Sequence, residues 1–392
     1  MIDRYCIETG YVSLNKHGEI LCGDHIETAT DETGSAVIVL ADGLGSGVKA
    51  CILSTLTSKI LSTMMANGMP MQECISTIAS TLPMCKVREL AYSTFTMIRI
   101  SEYREAEIIQ YDNPGVIMLR DGKNFDYPII SEIIDGKTIL KSKVSLQEND
   151  VFVAMSDGVL HAGAGGLYDF GWDRKDVIDF LEKLYSDKLN ARTISTTLLD
   201  MCNELYEGKP GDDTTVCTIK IRTRKQINLL IGPPEDPNDV SKMMSLFFSK
   251  EGRHIVCGGT TSTLAAEFLG RRLDCSDCCY ADPDIPPTAK IQGVDLVTEG
   301  VITMSRVLEY AKDYLGSNAR YSEWSYKDDG ASQIARMLFQ EATDINFFVG
   351  RAMNPAHQNP KLPIGFNVKM QLIDELAKCL KQINKNIKVS YF

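Results

Sequence analysis

Short apolar runs of strand length occur in two different arrangements along the chain, and this difference strongly constrains the fold. Up to about residue 224, such runs mostly follow one another through turns, as Ala106 to Tyr111 and Val116 to Arg120 do around Asn113-Pro114-Gly115. Beyond that point, strand candidates such as Ile227 to Ile231 alternate with helical patterns. Grouped strands predict antiparallel sheets covered by helices, whereas regular alternation predicts a parallel sheet covered on both faces.

A chain of 392 residues is long enough for two domains. The short basic stretch Arg222 to Gln226 separates the two arrangements, and we place the domain boundary there, near residue 224. We expect residues 1–224 to form an α+β domain, a layered α-β-β-α sandwich of two mainly antiparallel sheets flanked by helices. Residues 225–392 are expected to form a smaller α/β domain with a mainly parallel sheet.

The first helix predicted in the N-terminal part carries an apolar stripe at helical spacing. The stripe is expected to be the buried face of that helix. Its members are Val48, Cys51, Ile52, Thr55, Leu56 and Ile60.

Composition and charge exclude several classes of protein. The hydrophobic share of 44% and the charged share of 24% are typical of a soluble globular protein. The net charge of −11 disfavours binding to nucleic acid or to an anionic membrane, because both would repel the surface as a whole. We expect no signal peptide in Met1 to Tyr5 and no membrane span, and the 12 scattered cysteines favour a reducing cytoplasm.

Acidic residues lie next to three of the strand-like runs. Ala36 to Leu40 leads into Asp42, Val151 to Met155 leads into Asp157, and the pair Asp212-Asp213 directly precedes a third run. Because the end of one strand and the start of its antiparallel neighbour share a sheet edge, these acids can converge. Two carboxylates about 4 Å apart repel by roughly 4 kcal/mol at an effective dielectric near 20, so a cluster of them requires protons or cations.

The residues around these acids suggest which cation would bind. No His or Cys stands directly beside Asp42, Asp157 or Asp212 in the sequence, so the expected ligand set is all oxygen. Oxygen ligands suit magnesium or manganese and argue against zinc. Two such ions sharing a carboxylate can activate water for attack on phosphorus.

The acidic motifs occur in an order and spacing that resembles a known family. Asp24, Ala41-Asp42-Gly43-Leu44-Gly45-Ser46-Gly47, Ser156-Asp157-Gly158-Val159 and Gly211-Asp212-Asp213-Thr214-Thr215 are similar to the motifs of the metal-dependent serine/threonine phosphatases of the protein phosphatase 2C superfamily. Within it, the chain most resembles the bacterial branch typified by the stage II sporulation phosphatase E. The resemblance covers about residues 1–224.

This resemblance implies roles for individual residues. Asp42 would bridge two Mn²⁺ or Mg²⁺ ions, and Asp24 with the Gly43 carbonyl would complete one site. Asp157 would hold the other ion together with one acid of the next pair, for which Asp212 is preferred over Asp213. The implied reaction is in-line attack of a metal-activated water on phosphoserine or phosphothreonine, without a covalent phosphoenzyme.

A departure from the wider superfamily at position 44 bears on the mechanism, as do two histidines. Leu44 stands where many members carry a His that is a candidate proton donor, so the general acid is unassigned. His25 and His161 flank the acidic segments and could shuttle protons, or they are ordinary surface or packing histidines.

The C-terminal part contains a candidate site of its own. Gly258, Gly259, Thr260 and Thr261 lie between a strand and a helix, where free N–H groups and hydroxyls can bind an anion, and Glu299 follows a neighbouring strand. The sequence is neither a P-loop nor a dinucleotide fingerprint. The segment either binds a small anionic ligand that regulates the first domain, or it is a capped helix with a solvated loop.

Together these observations predict a cytoplasmic phosphoprotein phosphatase of the sporulation type, acting in bacterial signalling. By the same resemblance, its substrate would be a phosphorylated protein similar to an anti-sigma-factor antagonist. The alternative is a catalytically degenerate phosphatase fold that serves as a binding or scaffold module, controlled by a ligand-sensing C-terminal domain.

Overall fold

The computed structural model describes residues 5–30, 35–81, 93–101, 104–166, 168–187, 189–275, 284–316, 318, 320–352 and 364–392. It divides into two compact units, an N-terminal unit, Met1–Thr223, and a C-terminal unit, Arg224–Phe392. No helix among these residues is long and apolar enough to cross a membrane.

The N-terminal unit contains eleven strands and five helices in its described residues. In chain order they are β1 (Tyr5–Leu14), β2 (Asp24–Thr30), β3 (Ala36–Gly43), α1 (Gly47–Ala66), α2 (Met71–Thr81), β4 (Ser93–Ser101), β5 (Glu105–Tyr111), β6 (Ile117–Arg120), β7 (Lys123–Asn124), β8 (Ile130–Ile134), β9 (Lys137–Ser145), β10 (Val151–Met155), α3 (Asp157–Leu160), α4 (Arg174–Leu184), α5 (Ala191–Leu205) and β11 (Thr214–Thr223).

These strands form two antiparallel sheets. The five-stranded sheet has the order β1-β11-β10-β6-β7, and the six-stranded sheet has the order β2-β3-β4-β5-β9-β8. One buried cluster includes Ile38 and Ile98 of the larger sheet and Phe152 and Ile219 of the smaller one, so the sheets pack face to face. Helices α1 and α2 cover the outer face of the larger sheet, and α4 and α5 cover that of the smaller sheet. The predicted α-β-β-α sandwich is confirmed.

Helix α1 presents a different face to the sheet from the predicted one. Val48, Ile52 and Leu56 are 63%, 55% and 46% exposed, so the expectation that their stripe is buried is wrong for these three residues. The buried face instead carries small and hydroxyl residues together with Leu53, Leu61 and Met65. Its hydroxyls are satisfied within the helix, since the Thr57 and Ser58 side chains donate to the carbonyls of Leu53 and Ser54 at 2.9 and 2.8 Å. Small side chains allow the helix to approach the sheet closely.

The C-terminal unit alternates strands and helices. Its elements are β12 (Gln226–Ile231), α6 (Val240–Phe248), β13 (Arg253–Cys257), α7 (Gly259–Leu269), β14 (Leu273–Asp274), β15 (Lys290–Ile291), β16 (Leu296–Thr298), α8 (Val301–Leu315), α9 (Tyr321–Tyr326), α10 (Gly330–Ala335), β17 (Asp344–Val349), α11 (Ile364–Gln382) and β18 (Asn386–Tyr391). A 3-10 turn at Pro237–Asp239 precedes α6, and a π-helical turn at Arg336–Glu341 continues α10.

Five of these strands form a parallel sheet with the order β16-β13-β12-β17-β18. Buried clusters on its two faces involve α6 and α7 on one side, and α8, α10 and α11 on the other. The predicted parallel sheet with helical cover is therefore confirmed. The first strand, β12, lies in the centre, with β13 and β16 on one side of it and β17 and β18 on the other. The strand order therefore reverses between β12 and β17, and ligands bind at such a reversal in many open α/β sheets.

Candidate metal centre

Two of the predicted acids are paired directly by the β2–β3 ladder. Asp24 at the start of β2 lies opposite Asp42 near the end of β3, and the Gly43 N–H donates to the Gly23 carbonyl at 3.1 Å. Gly43 also packs against α1, where a Cβ would lie 2.1 Å from the Ala50 carbonyl oxygen. A side chain at position 43 would therefore push α1 away from the strand that carries Asp42.

The other acids come from the second sheet. Strand β10 ends before Asp157 and β11 begins after Asp213, and the two strands are joined beyond their ladder by a hydrogen bond from the Ser156 N–H to the Thr215 carbonyl at 3.0 Å. The Thr215 N–H donates in return to Ser156 Oγ at 2.8 Å. Gly158 fits against Asp213, whose carbonyl oxygen lies 2.3 Å from where a Cβ would stand.

The acids of the two sheets meet at one edge of the sandwich. Asp213 Oδ2 lies 2.7 Å from the ideal Cβ position of Gly23, next to Asp24. Burial, followed by the negative charges of Asp24, Asp157, Asp212 and Asp213, raises the pKa of Asp42 to about 9. The structure thus brings the five predicted acids into one electrostatic group, although it does not by itself assign any of them as a metal ligand.

Asp24 and Asp213 are buried without adequate hydrogen bonding. Asp24 is 5% exposed and Asp213 is 4% exposed. Three carboxylate oxygens have no hydrogen-bond partner within the described chain, namely both oxygens of Asp24 and Oδ2 of Asp213. The hydroxyls of Ser156 and Thr215 lie near Asp24 and lower its pKa. Ser156 Oγ accepts a hydrogen bond from the Thr215 N–H, and Thr215 Oγ1 pairs with Ser13 Oγ, each at 2.8 Å.

Burial disfavours the charged form of Asp24 and therefore raises its pKa. Burial is the main cause that raises the pKa of Asp24 to about 7, and the charges of Asp213 and Asp157 raise it further against a lowering by the nearby hydroxyls. Burial also raises the pKa of Asp157. A group of carboxylates that are protonated so easily is one that lacks its counter-charge.

Asp212 and Asp213 face different neighbours. Asp213 Oδ1 accepts a hydrogen bond from the Lys16 N–H at 3.0 Å, and its other oxygen lies by Gly23. Asp212 is more exposed, and its Oδ1 lies 3.6 Å from Lys16 Nζ. Donor atoms of Asp212, Asp157 and His161 all lie within 4.8 Å of one another. The preference for Asp212 over Asp213 stays a prediction.

Several contacts of this centre were not anticipated. No His adjoins Asp157 in the sequence, but the one-turn helix α3 brings His161, a residue expected to flank the acidic segments, close to it. Lys16, Ser156 and Thr215 also belong to the centre. Ser156 and Thr215 lie within the acidic motifs, so the motifs could have identified them, whereas Lys16 carried no signal.

His25 lies outside the acid group despite following Asp24. Its Nδ1 makes a hydrogen bond of 2.8 Å with Ser58 Oγ of α1, and burial lowers its pKa. We interpret it as a packing histidine between β2 and α1.

The candidate residues of the C-terminal unit lie at the ends of two neighbouring parallel strands. Gly258, with φ of +106°, caps α7 after β13, and its N–H donates to the Thr298 carbonyl at 2.9 Å. Glu299 follows β16 and accepts a hydrogen bond from the Ile302 N–H at 3.0 Å, so its carboxylate occupies the start of α8. The Ser262 and Thr263 hydroxyls donate to the carbonyls of Gly258 and Gly259.

The Glu299 side chain therefore caps α8 after β16, whereas α7 begins after β13 at Gly258 without a side-chain cap. Gly259 and Thr260 are exposed and Thr261 is buried. The group lies to one side of the strand-order reversal between β12 and β17. An anion site at Gly258, Gly259, Thr260, Thr261 and Glu299 stays a prediction that no contact tests.

Comparison with known proteins supports the resemblance of the N-terminal unit. Residues 32–222, just under half of the chain, match the family model described as Stage II sporulation protein E (SpoIIE). This match confirms the predicted resemblance for that part of the chain. No curated protein is significantly similar to the chain.

Several solved structures resemble the chain at low identity. The phosphatase domain of the cell fate determinant SpoIIE from Bacillus subtilis is 20% identical, with 57% of this chain and 95% of that chain covered and a TM-score of 0.44. The RsbU and RsbW domains of a Mycobacterium tuberculosis protein are 14% identical, with 62% and 69% covered and a TM-score of 0.47. The serine/threonine phosphatase of S. agalactiae is 15% identical, with 55% and 99% covered and a TM-score of 0.41. Likeness at this level does not extend to activity or ligands.

Proposed function

We propose that the N-terminal unit is a metal-dependent serine/threonine phosphoprotein phosphatase. The observation that carries the proposal is the buried acid group at the edge of the sandwich, in which three oxygens of Asp24 and Asp213 have no partner among the described residues. The family-model match over residues 32–222 supports the same function. Five neighbouring carboxylates, two of them buried, repel one another and are costly to ionise. Bound cations would offset both costs.

The residues fit divalent cations by their chemistry. Aspartate oxygens from β2, β3, α3 and the start of β11 meet at one place, and hard oxygen donors are the ligands that Mg²⁺ and Mn²⁺ accept. In the proposed assignment, Asp42 would serve both ions, Asp24 and the Gly43 carbonyl would complete one site, and Asp157 and Asp212 would hold the other ion. Asp213 is the alternative to Asp212.

The chain fixes these donors before any cation binds. The β2–β3 ladder sets Asp24 against Asp42, and the Asp213 N–H holds Asp212 through a hydrogen bond of 3.0 Å to its Oδ1. Bound ions would supply an activated water and neutralise the charge of the phosphoryl group. Leu44 contributes no proton to the leaving oxygen, so we propose that a water molecule at the centre does so.

We further propose that the substrate is a phosphoserine or phosphothreonine protein in bacterial signalling. The resemblance to the sporulation branch suggests a protein similar to an anti-sigma-factor antagonist, and a cytoplasmic location is consistent with such a partner. For the C-terminal unit we propose a regulatory role through a small anionic ligand. The proposed substrate depends on the resemblance, whereas the proposed role of the C-terminal unit depends on the segment Gly258 to Thr261 and on Glu299.

The proposed function is tested with the full chain and p-nitrophenyl phosphate. Mn²⁺ should activate hydrolysis and a chelator should abolish it. Asp42→Asn should lower turnover by about 10³-fold or more, since several kcal/mol of transition-state stabilisation depend on the cations. Asp179→Asn, an exposed aspartate on α4, is the matched control and should behave as wild type.

The same experiment separates the enzyme from a degenerate scaffold. Turnover that survives the chelator would contradict the metal mechanism. If Mn²⁺ binds but neither p-nitrophenyl phosphate nor a phosphoserine protein is hydrolysed, the scaffold interpretation replaces the enzyme.

A further inference from the structure

His161 is placed against Asp157 by a single helical turn. Helix α3 begins at Asp157 and ends with His161 as its C-cap, and the His161 N–H donates to the Asp157 carbonyl at 3.0 Å. Residues four apart on a helix lie on the same face. This spacing is the one by which helices present two side chains to one metal ion.

The backbone around His161 is held on both sides. The ideal Cβ of Gly171 would lie 2.9 Å from the Cα of His161, and the buried Trp172 donates to the Ala162 carbonyl at 3.0 Å. Tyr206 Oη donates to the Gly158 carbonyl at 2.6 Å at the other end of the turn. The imidazole is exposed, but the turn that carries it is fixed.

The donor atoms of Asp157, His161 and Asp212 are close enough to share one ion. They lie within 4.8 Å of one another. Ligands at about 2.1 Å from a common ion are at most about 4.2 Å apart, so small side-chain rotations would bring these atoms into coordination distance. Next to them, the buried and unpartnered oxygens of Asp24 and Asp213 are a separate indication that a cation belongs at this edge.

We propose that His161 is a nitrogen ligand of the ion held by Asp157 and Asp212, and that it makes this position selective for a transition metal such as Mn²⁺ over Mg²⁺. An imidazole suits transition metals, whereas Mg²⁺ prefers oxygen donors and retains its water. The inference rests on the proposed function, since it concerns one of the two cation positions.

The test uses the full chain with Mn²⁺ and Mg²⁺ alone, without substrate. Electron spin-echo envelope modulation of bound Mn²⁺ should show coupling to an imidazole nitrogen in the wild type and none in His161→Ala. Calorimetric titration should show a loss of Mn²⁺ affinity of about tenfold or more in His161→Ala, with Mg²⁺ affinity changed by less than about threefold. His161→Asp should restore an oxygen donor and shift the preference towards Mg²⁺.

His25→Asn is the matched control. His25 adjoins Asp24 in sequence but bonds to Ser58 through Nδ1, and the asparagine amide can retain that hydrogen bond. It should keep both the nitrogen coupling and the Mn²⁺ affinity. Thermal unfolding in chelator should show that His161→Ala folds as the wild type does, since the replaced imidazole is exposed.

The outcomes separate this inference from the proposed function. An unchanged nitrogen coupling or an unchanged preference for Mn²⁺ in His161→Ala would overturn the inference alone, because cations would still bind. A wild-type chain that binds no Mn²⁺ would overturn the inference and the proposed metal mechanism together.

Discussion

The two units both place a buried aspartate at the edge of a sheet, but the two carboxylates have different surroundings. Asp24 in the N-terminal unit is 5% exposed, and neither of its oxygens has a partner in the described structure. Asp329 in the C-terminal unit is 4% exposed, and its oxygens accept hydrogen bonds from the Ser332 N–H at 2.9 Å and Ser332 Oγ at 2.6 Å. Asp329 caps α10 beside the end of β16, where Gly330 packs against Thr298.

This difference distinguishes the acid group for which we propose cations from a cluster of residues that cap helices. Both units collect acids and hydroxyls at strand ends, as the sequence predicts, but such collections also arise from helix capping. The C-terminal edge uses Asp329 and Glu299 to satisfy the first N–H groups of its own helices. The N-terminal edge has buried carboxylate oxygens without partners among the described residues, and this supports the cation site proposed there.

The largest expected effect is on activity, from Asp24→Asn. Removing a proposed cation ligand should lower Mn²⁺-dependent hydrolysis of p-nitrophenyl phosphate by about 10²- to 10³-fold. In chelator, the same variant should be more stable than the wild type by about 1 kcal/mol, because the amide can donate to the neighbouring carboxylates and carries no charge. Urea unfolding in the absence of metal measures the second effect.

A loss of stability in Asp24→Asn without metal would contradict the comparison. It would mean that the carboxylate has a stabilising partner in the native protein, as Asp329 does. Asp179→Asn again provides the control for removing a surface carboxylate.

The next effect is stabilisation by Mn²⁺, which should depend on pH. Asp42 and Asp24 have pKa values of about 9 and 7 in the folded protein, above their ordinary value of 3.8. The unfolded chain therefore releases these protons first, and the free energy of unfolding of the metal-free protein falls as pH rises from about 4 towards 9. Bound Mn²⁺ replaces the protons as counter-charge and removes this loss.

Thermal unfolding with and without Mn²⁺ at pH 6 and pH 8 measures this dependence. At pH 8, Mn²⁺ at about 100 times its dissociation constant should stabilise by about 2.7 kcal/mol, which corresponds to a rise in Tm of roughly 5 to 10 °C. At pH 6 the same Mn²⁺ concentration should give a smaller rise. An equal or larger rise at pH 6 would argue against carboxylates as the ligands.

Much of this architecture could be predicted from the sequence, for physical reasons. Strand grouping before residue 224 and alternation after it identified both sheet types, because period and order of apolar runs reflect which faces are buried. The burial of α1 could not be predicted in this way. Its sheet-facing side is built from Ser54, Thr57 and Ser58, whose hydroxyls bond within the helix, so that apolar periodicity indicated the wrong face.

The candidate centre was predictable in part for a related reason. Acids next to strands are visible in the sequence, but which of their oxygens remain unpartnered depends on the packing of two sheets. The approach of His161 to Asp157 depends on a helix of one turn, which is too short to give a periodic signal. Lys16 reaches Asp212 and Asp213 from a distant part of the chain.

A moderate loss of stability is expected in the C-terminal unit from Asp329→Ala. The substitution removes the cap of α10 and leaves the buried Ser332 hydroxyl without its acceptor, which should cost about 2 kcal/mol in urea unfolding. Asp328→Ala, at the adjacent and exposed position, should cost less than about 0.5 kcal/mol, because its ion pair with Arg336 is at the surface. Equal losses in the two variants would show that Asp329 is not satisfied as its contacts indicate.

The smallest effect is expected from a substitution of Thr303. It tests whether a buried polar atom of the C-terminal edge also requires a partner, as the carboxylates of the N-terminal edge do. The Thr303 hydroxyl in the first turn of α8 is buried and has no hydrogen-bond partner in the described residues. Thr303→Val preserves the shape and removes this polar atom, so stability should be unchanged or rise by up to about 1 kcal/mol.

Ser332→Ala provides the opposite case, since the Ser332 hydroxyl donates to Asp329 and its removal should cost about 1 kcal/mol. A loss of more than about 1 kcal/mol in Thr303→Val would show that this hydroxyl is bonded in solution to a group outside the chain. The C-terminal edge would then share the property that distinguishes the acid group of the N-terminal unit, namely a buried polar atom that requires an external partner.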